Sequence, residues 1–171
     1  MKIKFYGDKY MIKQAEEQDI LAIEEILLDA VMWMQKNKLQ NQWNENNIKW
    51  DYLSKDYKIN NFYINYQNGV PVGCMAITDL DTKYWSEIPQ GKSLYIHKLA
   101  IKRIYAGKGV SKQFIDFAKN LSLKNGINSV RLDCNLHRNK LKMLYEKEGF
   151  TYVETRKLKN NYDIALYVWN K

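Results

Sequence analysis

The sequence predicts an α+β fold in which strands and helices do not alternate as repeated βαβ units. Three observations predict this class, namely helical periodicity in several segments, two hairpin patterns, and a glycine turn between an apolar run and a helix. The expected element order is β-α-α-β-β-β-α-β-α-β-β, which is a mixed architecture. The chain has 171 residues, of which 46% are hydrophobic and 27% charged, as is usual for one globular domain spanning residues 1–171.

Periodicity and turn residues place the elements of the first half of the chain. The pair Asn68-Gly69 supplies the positive-φ positions of a tight hairpin turn between two apolar strands. The polar segment after this hairpin is a loop, in which Tyr84 and Trp85 could form a short strand. The predicted elements are a strand over Tyr10–Ala15, a helix over Glu17–Lys36, a less regular helix over Leu39–Lys58, and strands over Phe62–Tyr66 and Val70–Thr78.

The second half contains the predicted central strand and two further helices. An amphipathic helix follows the glycine turn from Val110, and Gly149 is the expected stop of a shorter helix. The predicted elements are strands over Leu94–Ile101 and Ser129–Cys134, a helix over Arg138–Lys147, and a closing hairpin of Phe150–Thr155 and Tyr162–Val168 around Lys159-Asn160-Asn161.

The glycine turn over Tyr105–Ser111 predicts a phosphate-like ligand. Gly107 and Gly109 let the backbone turn sharply and approach a ligand, while the first N–H groups of the following helix attract an anion. Between Lys92 and Lys124 there are eight Lys or Arg residues and one acidic residue, so most of the net charge of +8 lies around the turn. A plain turn without a ligand is the alternative interpretation.

The rest of the composition excludes several classes of protein. No run of about eighteen apolar residues occurs, so neither membrane insertion nor export is expected, and the predicted location is cytoplasmic. Cys74 and Cys134 are far apart in the sequence, and only His97 and His137 could join them, which is too few ligands for a usual zinc site. We therefore expect reduced, buried thiols and no metal.

Motifs in the second half resemble those of the GNAT acetyltransferases. The order of elements, the run Leu99-Ala100-Ile101 and the turn Tyr105–Val110 all contribute to this resemblance. The segment Asn139–Phe150, with an Asn followed six residues later by Tyr and then by Gly-Phe, matches the most specific pattern of the family. The resemblance spans nearly the whole chain. It implies the acyl-CoA N-acyltransferase fold, with a central mixed, mostly antiparallel sheet flanked by helices, and acetyl-CoA as cofactor.

The chain departs from the family pattern at four positions. Ile104 stands where the family turn usually has Gln or Arg, Ala106 replaces a frequent Arg, and Ser111 replaces a frequent third glycine. These three changes remove no backbone N–H donor, so anion binding should survive. Lys142 replaces a usually small residue and could alter how its helix packs beside the cofactor.

The resemblance also implies which residues contact acetyl-CoA. The pantetheine arm would pair with backbone groups of Leu99 and Ile101, on either side of Ala100, and Asn139 would assist from the later helix. Capping of that helix is the alternative role for Asn139. The pyrophosphate would bind the amides of Ala106, Gly107, Lys108, Gly109, Val110 and Ser111.

Acetyl transfer to an amine needs a general base and an acid for the departing thiolate. Tyr145 matches the family tyrosine that faces the sulfur of CoA and is the predicted acid, with a buried core tyrosine as the alternative. His97 is the predicted base, acting through water, because alternation would place it on one face with Leu99 and Ile101. A structural histidine is equally compatible with the pattern. Glu24 and Glu25 on the first helix are weaker base candidates, with a solvated helix face as their alternative role.

The acceptor is predicted to be a primary amine of a small molecule. In this family the acceptor pocket usually lies in the region that holds Trp33, Trp43 and Trp50, and we name Trp33, Trp43 and Glu24 as candidate acceptor-binding residues. Packing between helices is the alternative for these tryptophans. An antibiotic, a polyamine, an amino acid or a protein N-terminus all remain open as acceptors.

Two other functions compete with catalysis. A basic chain with 13 tyrosines could be a nucleic-acid-binding module. However, the sequence contains no recognised nucleic-acid-binding motif, and nucleic acid is not expected as a partner. A GNAT-like protein could also bind acyl-CoA without turnover. The expected assembly is a monomer or a homodimer, without a membrane partner.

Overall fold

The computed structural model describes residues 10–171, and these residues form a mixed sheet with helices. The strands are β1 (Tyr10–Gln14), β2 (Phe62–Gln67), β3 (Val70–Thr78), β4 (Leu94–Ile101), β5 (Ser129–Asn135), β6 (Thr151–Lys157) and β7 (Asp163–Asn170). The helices are α1 (Ile20–Lys36), α2 (Trp50–Leu53), α3 (Val110–Lys124) and α4 (Asn139–Lys147).

Hydrogen-bonded neighbours in the sheet follow the order β1-β2-β3-β4-β5-β7-β6. The pairs β1–β2, β2–β3, β5–β7 and β6–β7 are antiparallel, whereas β4 and β5 are parallel. The predicted α+β class with a mostly antiparallel sheet is therefore confirmed.

Two local predictions in the first half are wrong. The helix predicted over Leu39–Lys58 reduces to the four residues of α2 between turns. Tyr84 lies in a turn and Trp85 in an irregular position after it, rather than in a strand. Asparagine side chains explain the first difference. Asn41 exchanges two hydrogen bonds with the backbone of Trp43, at 2.8 and 3.0 Å, and so offers the chain an alternative to helical pairing.

The chain divides into two compact units, and the first contains residues 10–77 and 97–114. At its centre α1 contributes Ile23, Ile26 and Leu27, each with 0% exposure, to an apolar cluster with β2 and β3. The start of α1 is fixed by Asp19, whose carboxylate accepts hydrogen bonds from the Lys13 ammonium and the Tyr66 hydroxyl. Burial alone would raise the pKa of Asp19, but these hydrogen bonds and one from the backbone of Glu16 lower it.

The second unit contains residues 78–96 and 115–171. Trp85 and Tyr95, which are 2% and 1% exposed, pack with Ile164 and Leu166 of β7. The Arg131 guanidinium lies 4.5 Å from the Trp85 ring centroid. These contacts explain why the polar loop after β3 is ordered without forming a strand.

Three predictions concern the whole chain, namely membrane insertion, location and domain number. Across residues 10–171, no helix combines the length and apolar character needed to span a membrane. The cytoplasmic location and the single domain over residues 1–171 stay predictions, and residues 1–9 of that domain lie outside the described part of the chain.

Candidate active site

The glycine turn lies in the first unit, between β4 and α3, and has the predicted backbone conformation. Gly107 has φ 76° and Gly109 has φ 82°. A Cβ added at either position would meet no atom within 4 Å, so a ligand can approach the backbone here. Val110, only 1% exposed, anchors the start of α3 in the core. The turn is thus anchored on its helix side and open at its glycines.

Four amides in this turn have no acceptor among the described residues. They belong to Gly107, Gly109, Val110 and Ser111, and the last two are the first N–H groups of α3. Since the positive end of the helix dipole lies at the same place, the four N–H groups form a concentrated donor site for an anion.

The other two amides of the predicted phosphate site donate within the turn. The N–H of Ala106 donates to the carbonyl oxygen of Arg103 at 3.1 Å, and the N–H of Lys108 donates to that of Tyr105 at 3.4 Å. The first bond closes the 3-10 turn over Arg103–Tyr105, and the second closes the next turn, which contains Gly107. The donor site is therefore narrower than the sequence predicts.

Basic residues just before the turn contact acidic and aromatic residues of α1. The Lys102 ammonium lies 3.9 Å from a carboxylate oxygen of Glu25, and the backbone N–H of Arg103 donates to Asp29 at 2.6 Å. The Arg103 guanidinium carbon is 3.8 Å from the ring centroid of Trp33. One face of Trp33 is thus covered, and part of the local positive charge is paired within the protein.

The central strand β4 contains a backbone irregularity that the sequence does not predict. Lys98 has φ 52°, a left-handed conformation that is uncommon for a residue with a side chain. A residue of this kind interrupts the alternation of a strand. The expectation that His97, Leu99 and Ile101 share one face therefore does not follow. Ala100 is 5% exposed, whereas these three are half-buried.

His97 and Lys98 both contact the segment 37–61, which connects α1 with β2. The ring of His97 lies 5.7 Å from the ring of Tyr57, between centroids, with 57° between their planes. The ammonium of Lys98 lies 5.2 Å from the ring centroid of Trp43. Adjacent residues of a regular strand would face opposite sides of the sheet, so the left-handed residue explains this shared contact.

Glu24 is engaged at the start of α2. Its carboxylate accepts a hydrogen bond from the backbone N–H of Trp50 at 2.7 Å and lies 3.2 Å from the Lys49 ammonium. The Trp50 ring packs edge-on against Phe62, with centroids 6.0 Å apart. These contacts position the segment between α1 and β2, and the predicted acceptor-binding role of Glu24 stays a prediction.

Tyr145 belongs to the second unit, where it lies in an aromatic cluster. It is 6% exposed, and its ring centroid lies 6.1 Å from those of Phe150 and Tyr167. Burial raises the pKa of Tyr145, and the nearby Cys134 and Asp133 raise it further. The phenol is therefore protonated at neutral pH.

The motif around Tyr145 forms α4 and its C-terminal cap. Asn139 is the first residue of α4 and is exposed, and the cap position belongs to the residue before it, so Asn139 does not cap the helix. Gly149 has φ 83°, and the N–H of Phe150 donates to the carbonyl oxygen of Tyr145 at 2.9 Å. This is the Schellman arrangement that the Gly-Phe pair predicts.

The predicted site residues fall into the two units. Asn139 and Tyr145 belong to the second unit. The first unit holds Glu24, Trp33, Trp43, His97, Leu99, Ala100, Ile101, Ala106, Gly107, Lys108, Gly109, Val110 and Ser111. Sequence reasoning did not predict the contact of Lys98 with the Trp43 ring or that of Tyr57 with the His97 ring. Strand alternation would place Lys98 opposite His97, and Tyr57 lies in a segment already rich in aromatic residues.

Solved structures of acetyltransferases share this fold. A GNAT-family acetyltransferase from Listeria monocytogenes matches with a TM-score of 0.75 and 21% identity, over 100% of both chains. The acetyltransferase yncA from Salmonella typhimurium, solved with its cofactor acetyl-CoA, matches with a TM-score of 0.71 and 16% identity, over 95% of this chain and 94% of that one. Naa50 from Arabidopsis thaliana, solved with a bisubstrate analogue of CoA and a peptide, matches with a TM-score of 0.68 and 14% identity, over 96% and 100%.

Sequence comparisons identify the family. The N-acetyltransferase YesJ of Bacillus subtilis, itself uncharacterised, is 26% identical over 78 residues, which are 46% of this chain and 43% of that relative. The model of the acetyltransferase (GNAT) family matches residues 22–150. These findings confirm the predicted family and agree with the predicted enzyme class and acetyl-CoA cofactor. The chain therefore belongs to the GNAT family of acetyltransferases.

Proposed function

We propose that this protein transfers the acetyl group of acetyl-CoA to a primary amine of a small molecule. The observation that carries the proposal is the set of four amides at Gly107, Gly109, Val110 and Ser111, which have no acceptor within residues 10–171 and suit the pyrophosphate of CoA. Lys108 is exposed beside this donor site and adds positive charge to it.

The strand β4 supplies the proposed partner of the pantetheine arm. The parallel register of β4 and β5 joins Leu94 with Val130 and Tyr95 with Arg131. The backbone groups of Leu99 and Ile101, beyond these two pairs, would bind the peptide-like arm. The thioester would then follow the central strand, away from the phosphate site at its end.

In the proposed reaction the amine nitrogen attacks the thioester carbonyl carbon. The new C–N bond forms, the C–S bond breaks, the base removes one proton from the nitrogen, and the acid gives one proton to the thiolate of CoA. Tyr145 is the proposed acid. Its buried phenol keeps its proton at neutral pH, as a donor to a leaving thiolate must.

His97 is the proposed base, acting through water. His97 belongs to β4, the strand proposed for the cofactor, and its half-buried ring lies beside the ring of Tyr57. A neutral imidazole nitrogen can accept a proton, here from the water that would link it to the amine.

The experiment that tests the acid is thiol release from acetyl-CoA across a panel of amines. Tyr145→Phe keeps the aromatic packing and should lower kcat by about 10²-fold or more, because acid–base groups contribute about 10²–10⁴-fold. Tyr167→Phe is the matched control. It changes a neighbouring ring whose hydroxyl donates to Glu146 at 2.9 Å, and its turnover should stay close to that of the wild type.

The outcomes separate the competing functions. Equal losses in both variants would make Tyr145 a packing residue. If the wild type binds CoA tightly but releases no thiol with any amine, the protein binds acyl-CoA without catalysis.

The pH dependence of kcat tests His97. Wild-type turnover should rise with pH through the ionisation of the base, and His97→Gln should remove this rise and lower kcat. An unchanged pH profile in His97→Gln would exclude the assignment.

A further inference from the structure

A pair of amide side chains joins the first turn of α3 to the sheet within the first unit. Asn65 of β2 is 0% exposed, and its Nδ2 donates to Oε1 of Gln113 on α3 at 2.7 Å. The neighbouring residue of β2, Ile64, belongs to the apolar cluster to which α1 contributes. Since alternate residues of a strand face opposite sides of the sheet, Asn65 is a buried polar residue on the side that holds α3.

Gln113 connects this hydrogen bond to the glycine turn. Its backbone N–H donates to the carbonyl oxygen of Gly109 at 3.1 Å. Gly109 also supplies one of the four amides of the donor site, and the next two belong to Val110 and Ser111. Gln113 is thus bonded to the sheet through its side chain and to the anion-binding turn through its backbone.

The packing beside the amide pair brings α3 close to the sheet. Gly73 lies opposite Asn65 in the register of β2 and β3, and a Cβ at Gly73 would lie 2.9 Å from a ring carbon of Phe114, the residue after Gln113. The missing side chain of Gly73 therefore lets Phe114 approach. Apolar contacts have no preferred direction, whereas a hydrogen bond weakens steeply away from its preferred angle. The amide pair accordingly adds a directional contact that can fix the rotation of α3.

Stability alone does not explain a buried amide pair at this place. Oδ1 of Asn65 is buried and has no hydrogen-bond donor within residues 10–171. The net contribution of one hydrogen bond to stability is small, and a buried polar atom without a partner costs free energy. Two apolar side chains of the same shape can be equally stable or more stable. A role in geometry accounts for the pair better than a role in stability.

We propose that Asn65 and Gln113 position the first turn of α3 so that its N–H groups converge on the pyrophosphate of CoA. Both are positioning residues, and neither takes part in acetyl transfer. This inference rests on the proposed function and adds two residues outside the motifs of the sequence. Without the bond, the first turn of α3 should bind the pyrophosphate less tightly, whereas a ligand without phosphates should bind as before.

The test measures the Kd of CoA by calorimetry and the kinetics with two acetyl donors. Acetyl-CoA carries the pyrophosphate, whereas S-acetylpantetheine has the same thioester and arm without it. Gln113→Met and Asn65→Leu each remove the hydrogen bond and keep the linear or branched shape of the side chain. Each should raise the Kd of CoA and the KM for acetyl-CoA about three- to tenfold, as expected for one hydrogen bond. The kcat with acetyl-CoA and the kcat/KM with S-acetylpantetheine should stay unchanged.

Asn120→Met is the matched control for these variants. Asn120 is an exposed amide side chain of the same helix, about two turns after Gln113. Its replacement should leave the Kd of CoA and both sets of kinetic constants at their wild-type values. Equal losses with acetyl-CoA and S-acetylpantetheine in Gln113→Met would overturn the inference, because a general loss of structure affects both donors.

The double variant Asn65→Leu/Gln113→Met separates positioning from stability. It leaves no unpaired amide atom of this pair in the interior, so its Tm should be at least as high as that of either single variant. The Kd of CoA should nevertheless stay raised, since the directional contact is still missing. A double variant that regains both stability and the wild-type Kd would show that the pair is only structural.

The inference and the proposed function fail in different ways. CoA binding that weakens in Gln113→Met, without thiol release by any amine, refutes acetyl transfer and supports the positioning role. Wild-type CoA affinity in Gln113→Met refutes the positioning role and leaves acetyl transfer standing. A wild type that does not bind CoA refutes both. Gln113 is half-buried, so its variant tests the inference even if Asn65→Leu does not fold.

Discussion

Substitution of Gly73 tests the packing behind the central strand. Gly73 lies in β3, and a Cβ at this position would lie 2.8 Å from Cδ1 of Ile101, 2.9 Å from the carbonyl oxygen of Ala100 and 2.9 Å from a ring carbon of Phe114. All three distances are shorter than a carbon normally tolerates. The Ala100 contact is with backbone and cannot be relieved by a side-chain rotation.

The magnitude follows from two opposed effects. Overpacking in a core costs about 1–3 kcal/mol. Replacing glycine by alanine at an ordinary φ returns about 0.4–1 kcal/mol by restricting the unfolded chain. Because one of the contacts is with backbone, we expect Gly73→Ala to lose about 2 kcal/mol, and a chain of this size then loses about 4–8 °C in Tm.

Gly69→Ala is the matched control for this prediction. Gly69 has φ 79° in the hairpin turn, and an added Cβ would meet nothing within 4 Å, so the substitution costs only backbone strain. That strain is worth about 1–2 kcal/mol. The control should therefore be destabilised without any displacement of β4.

Thermal unfolding and steady-state kinetics separate the two variants. Gly73→Ala should be the less stable variant and should raise the KM for acetyl-CoA, because Ala100 and Ile101 lie in the strand proposed for the pantetheine arm. Gly69→Ala should leave that KM unchanged. Wild-type stability in Gly73→Ala would refute the packing argument, and an unchanged KM would refute the link between this contact and the cofactor.

Three further predictions follow from the described residues. Gly109→Ala should raise the KM for acetyl-CoA, because φ 82° disfavours a side chain in the anion-binding turn, whereas Gly91→Ala, at φ 76° in the loop between β3 and β4, should leave that KM unchanged. The pKa of Asp19 is lowered below its ordinary 3.8, so its contribution to stability is present above pH 3.8 and is lost as the pH falls through the folded-state pKa. The urea concentration at the unfolding midpoint should therefore fall less steeply with decreasing pH in Asp19→Asn than in the wild type. Burial raises the pKa of Cys74, and it raises that of Cys134 to about 12, so neither thiol should react with a thiol reagent at about pH 8 until the protein is denatured.

Elements with strong local signals could be predicted closely from the sequence. The bounds of β3 and β4 agree with prediction, and α3 begins at Val110 as expected. In each case a continuous apolar run or a helical stripe ends at turn residues, so local and tertiary preferences agree. The predicted burial of Cys74 and Cys134 as free thiols is also confirmed. Cysteine behaves as a small apolar residue, so it is buried where the apolar run of its strand is buried.

The segment between α1 and β2 could not be predicted in this way. Its tryptophans occur at spacings that a helix would allow, but its asparagine side chains satisfy the backbone locally, as Asn41 does for Trp43. Glu24 then fixes the start of α2 in this segment by accepting the Trp50 amide. Such contacts depend on tertiary placement and leave no period in the sequence.

The candidate site also contains one part that the sequence predicts and one part that it does not. Its anion-binding part depends on backbone geometry. Gly107 and Gly109 indicate that geometry in the sequence, because a positive φ strongly favours glycine. The surroundings of the proposed base depend on the course of β4, where alternation would place His97, Leu99 and Ile101 on one face. The left-handed φ of Lys98 interrupts that alternation, although no glycine or asparagine marks the position. A sequence can therefore indicate the phosphate-binding turn of this protein, whereas the faces of its central strand depend on the conformation of one lysine.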